Sequence, residues 1–258
     1  MRCIREIIHA FSLEHQLDTS LDEFDLRQKM EIPDLSYDIY ISSGGPGSPL
    51  ESEGTPWEKR YFEWLDAVCR FNESSNGQPG KKVFFICHSF QLVSRYWQLG
   101  QVCARKSTSF GVFPVHLIPG GEAENVFGGL MDPFYAVDSR DFQLIHPNHS
   151  RIRSMGGQIL CIEKERPHVP LERAVMAIRF NEHMIGTQFH PEADPIGMSL
   201  HLQTEDRKKT VVENYGFDKW QSMIEHLEDP DKILLTHDSV LPNFLRLSAM
   251  ELQQLSLA

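Results

Sequence analysis

The stretch Val83-Phe84-Phe85-Ile86-Cys87-His88-Ser89-Phe90-Gln91 decides the fold of this chain. Its apolar run, residues 83–86, predicts a strand buried on both faces. After Cys87, apolar residues recur at the spacing of a helix that ends at Gly100. These residues are Leu92, Val93, Tyr96 and Trp97. Cys87 therefore lies on a strand-to-helix turn, where the positive end of the helix favours a thiolate and so nucleophilic attack. The alternative is a small, buried structural cysteine.

Strands and helices alternate along the rest of the chain. This pattern predicts an α/β fold with three layers, a mostly parallel, doubly wound sheet with helices on both faces. We predict an opening helix with one apolar face and later helices at 57–71 and 211–227. Further strands are expected at 24–27, 37–41, 112–118, 158–162, 174–180 and 184–189. One α/β domain should span residues 1–200, and residues 201–258 should form a helical extension that packs on it.

The start of the chain is unusual for a doubly wound sheet, because such sheets open with a strand and this chain opens with a helix. Two explanations are open. Either the natural chain begins further upstream, or the opening strand is missing, which would leave a gap near the middle of the sheet.

Composition limits the class of partner and the compartment. The chain has 258 residues and a formal net charge of −11, which argues against binding to nucleic acids or anionic membranes. Its five cysteines are an odd number without CxxC pairs, and no secretory signal or long apolar span is present. We therefore expect a reduced, cytoplasmic protein without structural disulfides. The histidines lack neighbouring ligands for a zinc site, so we predict no metal.

Two further motifs carry polar chemistry. The strand at 37–41 runs into Ser42-Ser43-Gly44-Gly45-Pro46-Gly47-Ser48-Pro49, a loop in which glycines and prolines forbid regular structure. Downstream lies Gly186-Thr187-Gln188-Phe189-His190-Pro191-Glu192. Residues two apart on an extended backbone project to the same face, so Glu192 can orient the His190 imidazole as a base. The alternative is a His-Pro-Glu turn with a solvated glutamate.

These three motifs, in this order, resemble the class I glutamine amidotransferase domain. The similarity covers residues 38–192 and is closest to stand-alone proteins similar to the glutaminase domain of GMP synthase. The resemblance implies a flavodoxin-like fold over residues 1–200. It also implies a Cys87-His190-Glu192 triad that hydrolyses the side-chain amide of glutamine through a thioester.

The resemblance also assigns the groups around the triad. Backbone N–H groups of the Gly44-Gly45 loop and of His88 would stabilise the oxyanion, whereas Pro46 has no N–H to offer. Gln91 matches the family glutamine that helps to hold the substrate.

Three departures from the family pattern bear on activity. The family turn is usually Gly-x-Cys-x-Gly-x-Gln, but Phe85 and Ser89 replace both glycines. Ser89 is small, whereas Phe85 needs room that smaller residues elsewhere would have to provide. The third departure is Ser139-Arg140-Asp141, where many relatives carry a histidine beside the Arg-Asp pair.

Cofactors and partners follow from what the sequence lacks. No Walker-type loop or dinucleotide-binding glycine pattern occurs, so we expect no ATP, NAD or other cofactor. The residues after Glu192 are too few for an acceptor-activating domain. The expected substrate is glutamine or a γ-glutamyl compound, with ammonia passed to a separate synthetase subunit. A γ-glutamyl hydrolase-type amidase and a catalytically silent regulatory relative stay open as alternatives. A homodimer is expected if the Leu-rich end, with Leu245, Leu247, Leu252 and Leu255, is exposed.

Overall fold

A seven-stranded sheet forms the centre of the protein, whose computed structural model describes residues 1–74, 78–229 and 232–256. The strands are β1 (Ile39–Ser42), β2 (Lys82–Ile86), β3 (Gln101–Leu117), β4 (Phe134–Ile145), β5 (Gln158–Glu163), β6 (Val175–Asn181) and β7 (Met184–Thr187). They lie in the order β1-β2-β7-β6-β5-β3-β4. The first neighbours, β1, β2 and β7, are parallel. The other pairings, β7 with β6, β6 with β5, β5 with β3 and β3 with β4, are antiparallel.

The α/β fold with helices on both faces is confirmed, but the sheet is mixed rather than mostly parallel. The antiparallel half arises because β3 and β4 form a long hairpin that adds to β5. The turn at Glu182 and His183 likewise folds β7 directly back on β6. Adjacent antiparallel strands need no crossover helix, so fewer helices separate the strands than the alternating pattern suggested.

Helices cover both faces of the sheet. The longer ones are α1 (Arg2–His15), α3 (Pro56–Ser74), α4 (His88–Tyr96), α8 (Glu205–Tyr215), α9 (Phe217–Glu228) and α10 (Ile233–Ser256). The shorter ones are α2 (Leu26–Lys29), α5 (Pro119–Glu122), α6 (His149–Ser154) and α7 (Pro195–Leu202), with a 3-10 turn at Asn125–Phe127. Among the described residues, no helix is both long enough and apolar enough to cross a membrane.

Strand β2 shows how the sequence builds the three layers. All five of its residues are buried, and its side chains alternate between two apolar clusters. Phe84 and Ile86 pack with α1 and α10 on one face. Val83 and Phe85 pack with α3 and α4 on the other face. Because helices cover both faces of the sheet at β2, successive residues of the strand are apolar. This explains the continuous apolar run in the sequence.

Several predicted elements differ from the observed ones. The strand predicted at 24–27 is wrong, because the Asp25 carboxylate accepts a hydrogen bond from the Gln28 N–H at 3.0 Å and so begins the short helix α2. The helix predicted at 211–227 is interrupted at Gly216, which separates α8 from α9. β1 is an edge strand, so the sheet order has no gap in its middle.

The C-terminal helix α10 packs against the same sheet. Val240, Leu241, Phe244 and Leu245 are buried in the cluster that includes α1. Leu247 also packs against that cluster, so this part of the Leu-rich end does not form an exposed apolar face. Leu255 lies outside the residues whose side chains the structure describes.

Phe85 fits beside the turn because its neighbour in the sheet is a glycine. Phe85 on β2 is opposite Gly186 on β7, and its ring packs edge-on against Phe180 and Trp97. A Cβ at Gly186 would lie only 3.0 Å from Phe85 Cβ. Gly186 is therefore the small residue that makes room for Phe85.

Ser89, two residues after Cys87, ties the turn to the sheet. Its hydroxyl accepts a hydrogen bond from the Ile86 N–H at 2.9 Å and donates to the Ser42 carbonyl at 2.5 Å. The side chain is buried, so these bonds are shielded from water. Ser89 therefore joins the end of β1 to the end of β2, a link that glycine could not make.

Candidate active site

Cys87 lies on a strained turn between β2 and α4. Its backbone has φ 51° and ψ −98°, outside the regions that a non-glycine residue ordinarily occupies. A hydrogen bond from the Cys87 N–H to the Thr187 carbonyl at 2.8 Å ties the turn to β7, and the Cys87 carbonyl accepts the Gln91 N–H of α4 at 3.0 Å. Strain of this kind persists only where the surroundings impose it, and it is frequent at functional sites.

His190 and Glu192 follow β7 and lie next to Cys87. His190 Nδ1 is 2.9 Å from Glu192 Oε1. The ring lies next to Cys87, since a Cβ placed at Gly44 would touch both His190 Cε1 and Cys87 Cβ. The His190 N–H donates to the Val137 carbonyl at 2.9 Å, which fixes this segment against β4. Glu192 thus holds the Nδ1 side of the imidazole.

The environment of His190 favours its charged form. Burial on its own lowers the pKa of His190, but the Glu192 carboxylate, which is hydrogen-bonded to the ring, and the neighbouring Cys87 sulphur outweigh it. The pKa of His190 is therefore raised well above its ordinary value. An imidazolium beside the sulphur stabilises a negative charge there, as in other cysteine-histidine pairs.

The glycine loop approaches the same point. A Cβ at Gly44 would lie 3.0 Å from His190 Cε1 and 3.3 Å from Cys87 Cβ, so a side chain at Gly44 would crowd the pair. Within the described part of the chain, no hydrogen bond occupies the backbone N–H groups of Gly44, Gly45 and His88. These groups are available as donors to an oxygen bound next to Cys87.

Arg27 braces this loop, a role that the sequence analysis did not assign. Its guanidinium donates to the Pro46 carbonyl and lies 2.5 Å from His88 Nδ1. It also stacks over the Trp57 ring at 5.0 Å. Arg27 therefore links α2, the glycine loop and the first residue of α4.

The His88 ring is buried against Arg27. Burial and the adjacent Arg27 guanidinium lower the pKa of His88 to about 3. The ring is therefore neutral at pH 7 and can accept a hydrogen bond from Arg27.

This lowered pKa predicts an acid sensitivity. As the pH falls below about 6.5, the unfolded chain protonates His88 while the folded protein does not, so stability is lost. Between roughly pH 6 and pH 4, His88 should lower the free energy of unfolding of the wild type by up to about 1.4 kcal/mol for each pH unit. We expect His88→Gln to lack this contribution. Urea unfolding at several pH values measures it, with the exposed His9 changed to Gln as the control. Equal pH slopes for wild type and His88→Gln would contradict the assignment.

Gln91 and Gln188 form a buried, hydrogen-bonded pair next to the Cys87 sulphur. Gln188 Nε2 is 3.6 Å from Cys87 Sγ, and Gln91 Nε2 donates to Gln188 Oε1 at 3.1 Å. Gln91 Nε2 also donates to the Phe142 carbonyl at 3.3 Å. Gln91 thus lies close to Cys87, with its amide nitrogen bonded to the protein.

The Ser139-Arg140-Asp141 segment contributes backbone rather than side chains to the site. The Ser139 carbonyl lies 3.8 Å from Cys87 Sγ, while its side chain is exposed. Arg140 is buried, 2.8 Å from Asp138 and 3.2 Å from Glu163. These ion pairs hold β4 in the place where its carbonyl faces the sulphur. Across the residues that the structure describes, no three His, Cys, Asp or Glu side chains are grouped as a metal site.

Comparisons with known proteins identify the fold. No family model matches the sequence. No curated protein matches it either. A glutamine amidotransferase structure from Thermotoga maritima aligns with TM-score 0.67 and 16% identity, covering 94% of this chain and 91% of that chain.

Two other solved structures are also similar. A glutamine amidotransferase from Methylobacillus flagellatus has TM-score 0.65 and 14% identity, with 95% and 89% of the two chains covered. The glutaminase domain of Trypanosoma brucei CTPS, with bound acivicin, has TM-score 0.51 and 14% identity, with 74% and 79% covered. The predicted fold is therefore confirmed, since this chain has the fold of glutamine amidotransferase structures.

Proposed function

We propose that this chain hydrolyses the side-chain amide of glutamine, as a glutaminase or the glutaminase part of an amidotransferase. One observation carries the proposal. Cys87 lies on a strained turn next to the ring of His190, which is paired with Glu192 at 2.9 Å. A cysteine, a base and a group that orients the base form the arrangement of an activated nucleophile.

In the proposed reaction, Cys87 Sγ attacks the amide carbon as a thiolate while His190 is an imidazolium. The carbonyl oxygen becomes an oxyanion, which accepts hydrogen bonds from the loop at Gly44 and Gly45 and from the His88 N–H. The C–N bond then breaks, and the departing nitrogen takes the His190 proton and leaves as ammonia. A thioester between Cys87 and the glutamyl group remains.

Water completes the proposed cycle. Neutral His190 takes a proton from water, and the resulting hydroxide attacks the thioester carbon. The C–S bond breaks, the product leaves with its new carboxyl group as the acid and gives that proton to solvent to become glutamate, and the thiolate and imidazolium are restored. The Glu192 carboxylate stabilises the imidazolium, as the acidic member of a triad does.

The departures from the family turn are compatible with this chemistry. Phe85 occupies space that Gly186 provides, and Ser89 bonds β1 to β2, so both substitutions are built into the turn. These contacts favour an active enzyme over a catalytically silent relative. We further propose that the ammonia goes to an acceptor held by a separate synthetase subunit.

Covalent labelling tests the proposal. The protein is incubated with an electrophilic glutamine analogue such as acivicin, and the modified peptide is identified by mass spectrometry. We expect one adduct, on Cys87, that excess glutamine suppresses. Cys87→Ala should abolish the adduct, and changing the half-buried Cys103 to Ala should leave it intact. Labelling of Cys103 with Cys87 unmodified would contradict the proposal. If γ-glutamyl peptides suppress the Cys87 adduct and glutamine does not, the protein is an amidase that acts on another substrate.

A further inference from the structure

Besides the His190 ring, the Cys87 sulphur has a neighbour that can donate a hydrogen bond, the side-chain amide of Gln188. Gln188 Nε2 lies 3.6 Å from Cys87 Sγ, and the Gln188 side chain is fully buried. Its backbone N–H donates to the Met176 carbonyl at 2.7 Å, so the residue is fixed to β6. A buried amide held in this way has little freedom to turn elsewhere.

Gln91 determines which end of the Gln188 amide faces the sulphur. The Phe142 carbonyl can only accept a hydrogen bond, so the Gln91 amide must direct its nitrogen towards it. The same nitrogen donates to Gln188 Oε1 at 3.1 Å. With its oxygen bonded to Gln91, Gln188 must present its NH₂ group to Cys87.

We propose that Gln188 is a positioning residue, which orients the Cys87 sulphur and stabilises its thiolate, with Gln91 fixing the direction of the donor. The inference rests on the proposed function. In that reaction His190 gives up its proton to ammonia, whereas an amide keeps its hydrogens at every stage. Gln188 therefore supplies a donor to the sulphur that does not depend on the protonation state of His190.

The test is the pH dependence of Cys87 alkylation by iodoacetamide, followed on the Cys87 peptide. Gln188→Met keeps the length of the side chain but removes the donor. We expect the pH midpoint of alkylation to rise by about one unit, the value of one hydrogen bond to a charged group. Gln188→Glu should raise it further because its carboxylate repels the thiolate. Gln91→Leu should raise it less, since the Gln188 donor stays but loses its fixed direction.

Gln143→Leu is the matched control. Gln143 is also fully buried and its Nε2 lies 3.8 Å from a cysteine sulphur, that of Cys103. Its replacement should leave the Cys87 midpoint unchanged. An unchanged midpoint in folded Gln188→Met and Gln188→Glu would overturn the inference.

Alkylation needs no glutamine, so the two proposals can fail separately. A shifted midpoint in a protein that does not hydrolyse glutamine would leave the positioning role intact and remove the proposed function. Normal hydrolysis with an unshifted midpoint in the Gln188 variants would remove the positioning role alone.

Discussion

Replacing His190 with glutamine is expected to lower the rate of glutamine hydrolysis by about 10²–10⁴-fold, the usual contribution of a general acid and base. The variant keeps a polar side chain beside Glu192 but cannot give a proton to the departing ammonia. Steady-state release of glutamate measures the effect. Because chemistry rather than binding is impaired, kcat should fall while KM changes little.

His183 provides the matched control for this variant. His183 precedes β7, whereas His190 follows it, and both side chains are half-buried. His183 therefore lies at the opposite end of the strand, 2.9 Å from Lys82 Nζ. His183→Gln should retain the wild-type rate. If both variants lose activity to the same extent, the loss reflects the stability of β7 and the role given to His190 is wrong.

Changing Phe85 to Ala is expected to destabilise the protein by about 3–5 kcal/mol, the range for large aromatic residues in a core. Phe85 is fully buried and packs against Phe180 and Trp97, so truncation leaves a cavity in the layer between β2 and α4. Phe85→Gly, which removes the side chain altogether, should be at least as damaging. Urea unfolding gives the change in free energy.

A double-mutant comparison shows whether Phe85 and Gly186 pack against each other or whether each replacement only loosens the core. Gly186→Ala should cost about 1–3 kcal/mol, because its Cβ would crowd the Cβ and carbonyl of Phe85. The cost should be smaller in a Phe85→Gly background, where one of those contacts is gone. Equal costs in both backgrounds would show that Gly186 is not the residue that makes room for Phe85.

The sequence pattern predicts those helices and strands in which buried residues recur at one regular spacing. The apolar run before Cys87 and the helical spacing in α3 and α4 are both of this kind. β4 was missed because the buried Asp138 and Arg140 hide its alternation. Their burial depends on ion pairs with each other and with Glu163 on β5, and only the folded sheet brings that partner close.

The candidate site was predictable to a similar degree. Cys87, His190 and Glu192 each belong to a recognisable motif, and the structure brings them together. Gln188 was missed although it is two residues before His190, so the same alternation that placed Glu192 beside His190 could have found it. Arg27 carries no local signal, since its contacts with Pro46 and His88 arise from the path of the chain between α1 and β1.

In the proposed reaction, Cys87 forms a thioester with the glutamyl group of glutamine. Acid quenching of the protein during turnover, followed by peptide mass spectrometry, detects this thioester directly. We expect a glutamyl adduct on the Cys87 peptide that is absent from Cys87→Ala. A protein that releases glutamate and ammonia at the wild-type rate after Cys87→Ala, or that carries the adduct on another residue, would contradict it.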